Sequence, residues 1–149
     1  MGLSDGNAFL DQLVTIFRLG STAPISVEHE ELVGRVQALY ACIIRGDFAA
    51  LGELMTEDVC LDIDAPSMPA FHGTTHGRAE VLAVIERNFA QVGEQVPKVH
   101  EVVVQGETVV VLCRESGQVM PDGQPYVLSW LQFFTFREGR LSLIRERIS

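Results

Sequence analysis

Basic residues are scarce in this chain. Its 149 residues include 11 Lys and Arg against 20 Asp and Glu, which gives a formal net charge of −9 at pH 7. A nucleic-acid-binding protein needs a basic face for the phosphates, and anionic membrane surfaces attract basic segments. We therefore expect neither nucleic acid nor a membrane as a partner, and we expect the excess charge to lie on a solvated surface.

Long apolar runs and paired cysteines are lacking as well. No stretch approaches the roughly 20 apolar residues of a membrane-spanning helix, and no basic segment followed by an apolar one indicates a signal peptide. The three cysteines, Cys42, Cys60 and Cys113, are odd in number and far apart. We expect them to be reduced side chains in a cytoplasmic protein.

Apolar residues make up 47% of the chain, enough for the core of one domain. The spacing of apolar residues predicts an N-terminal helix over Asp5–Leu19, so that residues 1–25 form this helix and a linker, and residues 26–149 form the main domain. Within the main domain the same spacing predicts helices over Val27–Arg45, Phe48–Met55 and Arg78–Val92.

Strand patterns dominate the second half of the chain. Turn residues such as Gly106, Pro121-Asp122-Gly123 and Glu138-Gly139 separate runs of alternating or β-branched residues. Helices followed by successive hairpins are typical of an α+β fold. The predicted strands are Asp58–Asp64, Val99–Gln105, Thr108–Met120, Tyr126–Arg137 and Arg140–Ile148.

Several short motifs follow one another in an order and spacing that are typical of one protein superfamily. They are Gly46-Asp47, Asp58-Val59, His76-Gly77-Arg78, Gly123-Gln124-Pro125, and Phe136 with Gly139-Arg140-Leu141. Through them the segment from about Glu30 to Ile148 resembles the nuclear-transport-factor-2-like superfamily, in its SnoaL-like polyketide cyclase and ketosteroid isomerase branches. The resemblance implies a cone-shaped α+β fold, with a strongly curved mixed or antiparallel sheet wrapped around three helices. The N-terminal helix is an addition to that fold.

The resemblance also implies positions for site residues. The general-base Asp of the ketosteroid isomerases falls on Ile63, between Asp62 and Asp64, and a one-residue bulge would turn Asp64 inward. Their oxyanion-binding Tyr falls next to Tyr40, and their second oxyanion donor falls on Gln132. A Gln side chain can donate a hydrogen bond to an oxyanion, although less strongly than a protonated Asp.

Strand alternation predicts a pocket independently of the resemblance. If Gln132 faces inward, Trp130 and Phe134 do so too, and an amide among aromatic rings suits a small apolar ligand. An ordinary apolar core would produce the same pattern. The predicted ligand-binding residues are Tyr40, Phe71, Cys113, Trp130, Gln132 and Phe134.

Acidic residues on the inward faces suggest acid–base chemistry. Glu115 shares a face with Cys113, and Glu146 lies between Ile144 and Ile148, so burial would raise the pKa of either carboxyl. Pairing with neighbouring arginines or a place at the solvated rim is the alternative. The predicted catalytic residues are Asp62, Asp64, His72, Glu115 and Glu146.

The spacing of His72 and His76 is that of a metal-ligand pair, but both lie in a glycine-containing loop without a clear third ligand, so no metal is expected. No organic cofactor motif is found either. Two functions remain: a cofactor-independent isomerase or cyclase that shifts a proton next to a carbonyl of a small apolar compound, or a non-catalytic binding or dimerisation module. Epoxide hydrolysis would require an inward Arg that the pattern does not supply.

One outward face of the predicted sheet is also apolar. A monomer would expose this face, so we expect a symmetric homodimer through it, with the N-terminal helix as the competing cover. The residues concerned are Leu112, Leu131, Phe133 and Leu143.

Overall fold

Four helices and six strands make up the computed structural model, which describes residues 2–149. The helices are α1 Gly6–Gly20, α2 Val27–Arg45, α3 Phe48–Glu53 and α4 Arg78–Ala90. The strands are β1 Met55–Asp64, β2 Gly73–His76, β3 Val92–Gln105, β4 Thr108–Val119, β5 Gln124–Arg137 and β6 Arg140–Ile148.

Local capping groups set the limits of the helices. The Ser26 side chain accepts a hydrogen bond from the backbone N–H of His29 at 3.1 Å, which starts α2. Gly46 ends α2 in the left-handed region, with φ of 70°. Asp47 then starts α3 by accepting from the backbone N–H of Ala50 at 3.1 Å. These helix starts and stops agree with the predicted ones because each cap depends only on neighbouring residues.

The six strands form one open sheet in the order β2-β1-β6-β5-β4-β3. Strands β1 and β6 are parallel, and every other neighbouring pair is antiparallel, so the sheet is mixed. The predicted class is confirmed: an α+β fold of the cone type, with helices packed on one side of a mixed sheet.

Three parts of the sheet differ from the prediction. Strand β1 begins at Met55 rather than Asp58, because helix α3 ends at Glu53 and not at Met55. Strand β2 was not predicted, because its four residues are polar or Gly and carry no apolar alternation. Strand β3 begins at Val92 rather than Val99, directly after α4, and includes Pro97. Since β3 is an edge strand whose only neighbouring strand is β4, apart from an isolated bridge between Leu3 and Gln95, the missing N–H of a proline is tolerated there. A register shift with Glu94 at φ 50° precedes Pro97.

Helix α1 belongs to the same hydrophobic core as the rest of the described chain. Phe9, Leu13 and Phe17 are buried in that core. The side-chain oxygen of Gln12 accepts a hydrogen bond from the backbone N–H of Val99 at 2.8 Å, which joins α1 to β3. Within residues 2–149, no helix is long and apolar enough to cross a membrane.

The burial of α1 predicts the effect of truncating its core face. Leu13→Ala removes a side chain with no exposed surface and should lower the free energy of unfolding by about 2–5 kcal/mol. Leu19→Ala, on the same helix but 77% exposed, is the matched control and should change it by less than about 0.5 kcal/mol. Urea denaturation measures both. Equal effects would contradict a core position for α1.

Candidate functional site

A cavity of about 130 Å³ lies between the concave face of the sheet and the helices. Its walls are mainly apolar and include Ile43, Leu61, Phe89, Leu128 and Ile144. An engineered protein cavity of roughly 150 Å³ holds one benzene molecule. The cavity therefore fits a compound with about one six-membered ring.

Aromatic side chains surround Tyr40 in the cavity wall. The rings of Phe9 and Tyr40 meet edge to face, with centroids 4.9 Å apart. Trp130 stacks on Tyr40 at 6.3 Å with an interplanar angle of 28°, and Phe134 approaches it edge-on at 5.9 Å. Trp130, Gln132 and Phe134 share the inward face of β5, as the alternation predicts.

A hydrogen-bonded chain of three side chains crosses this aromatic cluster. The Tyr40 hydroxyl donates to Oε1 of Gln132. Nε2 of Gln132 donates to Oε2 of Glu146 at 2.8 Å. Gln132 and Glu146 are directly opposite in the antiparallel register of β5 and β6, so the sheet itself holds the amide against the carboxyl.

Burial changes the acid–base behaviour of both ends of this chain. The pKa of Glu146 is raised from its usual 4.5 to about 7, mainly because the carboxyl is desolvated. The hydrogen bond from Gln132 lowers this pKa, and the negative charge of Glu115 raises it further. The pKa of Tyr40 is raised well above 10, mainly by desolvation and then by Glu146. Near neutral pH, Glu146 can therefore take or give a proton, and Tyr40 keeps its own.

A second polar cluster surrounds Glu115. Its carboxylate accepts hydrogen bonds from the Tyr126 hydroxyl at 2.6 Å, from Nε1 of Trp130 at 3.3 Å and from Nε2 of Gln95 at 3.4 Å. Burial and the bond to Glu115 raise the pKa of Tyr126. Gly117 leaves the space for the Tyr126 ring, since a Cβ there would lie 2.5 Å from the hydroxyl oxygen.

The structure places seven of the predicted site residues in the cavity wall: Tyr40, Phe71, Glu115, Trp130, Gln132, Phe134 and Glu146. Four others do not line it: Asp62, Asp64, His72 and Cys113. The strand register and the local contacts explain why each of these four residues lies outside the cavity wall.

The aspartates of β1 face away from the cavity. Residues Cys60–Asp64 pair with β6 in unbroken register, so the predicted bulge is absent and Ile63 points inward instead. Asp62 accepts from the Thr74 hydroxyl of β2 at 2.8 Å, and Asp64 is exposed. The prediction that one of them reaches the cavity is wrong.

His72 and Cys113 lie near the cavity without lining it. His72 is exposed, and its Nδ1 accepts from the backbone N–H of Ala65 at 3.1 Å. Cys113 is buried opposite Trp130, whose longer side chain reaches the cavity, and its pKa is raised to about 12 by desolvation and by Glu115. Across residues 2–149 no group of three or more His, Cys, Asp or Glu has a metal-binding arrangement.

Most of the other cavity residues were not predicted from the sequence, and Phe9, Tyr126 and Gln95 are three that contact the polar or aromatic groups described above. Phe9 lies on the apolar face of α1, but nothing local shows that this face meets the cavity. Tyr126 has the same parity as Leu128 and Trp130, so extending the alternation along β5 would have found it. Gln95 lies in the part of β3 that the sequence did not show to be a strand.

Comparisons with known proteins agree with this geometry. A family model for the SnoaL-like domain matches residues 36–144. No curated protein matches the chain. Among solved structures, a provisionally assigned SnoaL-like polyketide cyclase from Jannaschia sp. CCS1 is similar with a TM-score of 0.73 and 20% identity, over 85% of this chain and 91% of that one.

Two further solved structures are similar over most of their length. An NTF2-like protein from Burkholderia xenovorans LB400 has a TM-score of 0.68 and 26% identity, over 83% of this chain and 93% of that one. A provisionally assigned isomerase from Rhodopseudomonas palustris has a TM-score of 0.70 and 21% identity, over 83% and 92%.

The raised pKa of Glu146 predicts a pH dependence of stability. In the unfolded chain this carboxyl ionises near 4.5 and in the folded chain near 7, so its contribution falls as pH rises through that interval. Glu146→Gln removes the effect. The variant should therefore gain stability relative to the wild type, by about 3 kcal/mol in total, between those two pH values. Urea denaturation across the pH range measures the difference.

Glu101→Gln, at an exposed position on β3, is the control for losing one negative charge. Its stability relative to the wild type should not follow the same rise. If Glu146→Gln and Glu101→Gln give parallel curves, the desolvation of Glu146 is contradicted.

Proposed function

The chain belongs to the SnoaL-like domain family, and on that basis we propose that it is a cofactor-independent enzyme that moves a proton on a small, mostly apolar carbonyl compound. One observation carries the proposal: the Glu146 carboxyl faces an apolar cavity with a pKa of about 7. A general base is most effective when its pKa lies near the working pH. An isomerisation or a cyclisation would use this step.

Glu146 would act as the base in this reaction. Its carboxylate takes a proton from the carbon next to the substrate carbonyl, and the electrons of the C–H bond move to the carbonyl oxygen to form an enolate. In a substrate with a C=C bond next to that carbon, the enolate is conjugated, and return of the proton to the far end of the conjugated system gives an isomer. Attack of the enolate carbon on a second electrophilic group of the same molecule gives a ring.

Gln132 would link the proton on Glu146 to the hydrogen bonding of Tyr40. Once protonated, Glu146 can donate to the amide oxygen, which favours the amide rotated by 180°. The Gln132 nitrogen then donates to the Tyr40 oxygen, and the Tyr40 hydroxyl is free to donate to the enolate. The oxyanion donor would thus become available at the step that creates the negative charge.

Hydrogen exchange on a ring-sized ketone tests the proposal. In D2O the wild type should catalyse deuterium incorporation next to the carbonyl of 2-indanone, followed by proton NMR. Glu146→Gln should lower the catalysed rate by about 10²–10⁴-fold, because general base catalysis is lost. Tyr40→Phe should lower it through loss of the oxyanion donor, while Glu101→Gln should keep the wild-type rate.

A non-catalytic binding module is the second candidate. The observation that favours it is Ile63, an apolar side chain at the position where the resemblance expects the general base. Under this function 2-indanone would bind, as detected by the fluorescence of Trp130, the only tryptophan, without any catalysed exchange. Exchange that is unchanged in Glu146→Gln would contradict the catalytic role of that residue.

We also propose that the protein forms a symmetric homodimer through the outer face of the sheet. Leu112, Leu131, Phe133 and Leu143 are only half-buried on that face. Helix α1 does not compete for it, since Phe9 points into the cavity on the opposite side of the sheet. Because the face is apolar, contact with the same face of a second copy of the chain would remove it from water.

Sedimentation at micromolar concentration tests the dimer. The wild type should have about twice the chain mass of 16.4 kDa. Phe133→Glu should give the monomer mass, because it places a charge in the apolar contact. Leu19→Glu, at an exposed apolar position on α1, should keep the dimer. A wild type that sediments as a monomer contradicts the proposed interface.

A further inference from the structure

The Glu115 cluster neither takes nor gives the proton in the reaction proposed above, although it lies in the same cavity wall. We infer that Glu115 and Gln95 bind a protonated amino group of the ligand, so that the carbonyl compound is also a small amine. This inference rests on the proposed function, because it takes the cavity to be the site of reaction. It adds the chemical class of the substrate.

Unused hydrogen-bond acceptors are the first support. A carboxylate has about four lone-pair sites, and Glu115 accepts three hydrogen bonds, which leaves one. Gln95 is 4% exposed, and its Oε1 is buried without a partner. The orientation of this amide follows from chemistry, since Nε2 faces a carboxylate that can only accept. A group with several N–H donors would satisfy both acceptors.

The charge of the cavity is the second support. Over residues 2–149, the wall contains no Lys, Arg or His, and its two ionisable acids are Glu115 and Glu146. The negative charge of Glu115 contributes to the raised pKa of Tyr40, Cys113 and Tyr126, so its field extends through the site. An anionic ligand would meet like charge without compensation, whereas an ammonium group would offset the charge already there.

Aromatic rings next to Glu115 are the third support. Tyr126 and Trp130 both donate to this carboxylate, and the Trp130 ring lies 6.4 Å from Phe9 and 6.3 Å from Tyr40. Aromatic rings stabilise organic cations through the negative charge of their faces. A carboxylate beside several rings therefore favours an ammonium group over a neutral hydroxyl.

Three ring-sized probes of similar shape test the inference near neutral pH: benzylamine, which is then an ammonium ion, benzyl alcohol and benzoate. Calorimetry and Trp130 fluorescence should show that benzylamine binds at least about tenfold more tightly than benzyl alcohol, and that benzoate binds weakest. Equal affinity for benzylamine and benzyl alcohol, or tightest binding of benzoate, overturns the inference.

Two variants localise the effect. Glu115→Gln keeps the side-chain shape and should remove the preference for benzylamine over benzyl alcohol. Gln95→Leu keeps the charge and should weaken benzylamine binding by about tenfold through loss of one acceptor. Thermal denaturation shows whether each variant is folded. If Glu115→Gln does not fold, an unchanged benzylamine affinity in Gln95→Leu still contradicts the assigned position of the amino group.

Glu146→Gln separates this inference from the proposed function. It should lose hydrogen exchange on 2-indanone yet retain a preference for benzylamine, because Glu115 is intact. A wild type without exchange that still prefers benzylamine refutes the proton transfer alone. A wild type with exchange but no such preference refutes the amine site alone.

Discussion

The alternation of side chains along strand β5 is the constraint on which the site depends. Strand β5 pairs over nearly its whole length with β4 and along most of β6, so its register is held from both sides. Trp130, Gln132 and Phe134 consequently share the concave face. The same pairing places Glu146 of β6 opposite Gln132 and Cys113 of β4 opposite Trp130. A shift by one residue would turn these side chains to the convex face and replace them with Leu131 and Phe133.

The carboxyls of Glu115, which is buried, and of Glu146, which is half-buried, have different surroundings in one apolar cavity. Glu115 is surrounded by three donors, which stabilise its negative charge. Glu146 has a single donor, Gln132, and desolvation raises its pKa to about 7. Glu115 therefore suits the recognition of a ligand with donor groups, whereas Glu146 suits a proton transfer.

Much of the fold and part of the site could be predicted from the sequence. The features that were predicted depend on neighbours in sequence, and those that were not depend on contacts between distant segments. Caps such as Ser26 and Gly46, and the parity of β5, depend on neighbours in sequence and were predicted. The start of β3 was not, because tolerance of Pro97 depends on its strand lying at the sheet edge. The bulge expected to turn Asp64 inward is absent for a similar reason, since only pairing with distant β6 shows that the register is unbroken from Cys60 to Asp64. Gln95 and Phe9 reach the cavity through tertiary packing alone.

The segment shared with the SnoaL-like family begins at residue 36, yet Leu3 and Phe9 form part of the cavity wall. The shape of the cavity is thus partly determined by residues outside the shared segment. Two proteins with the same sheet and the same carboxyls in the cavity wall would have cavities of different size if their N-terminal segments differ. Substitutions in the N-terminal segment would then change the shape of the cavity and leave the strand pairing of the shared sheet intact.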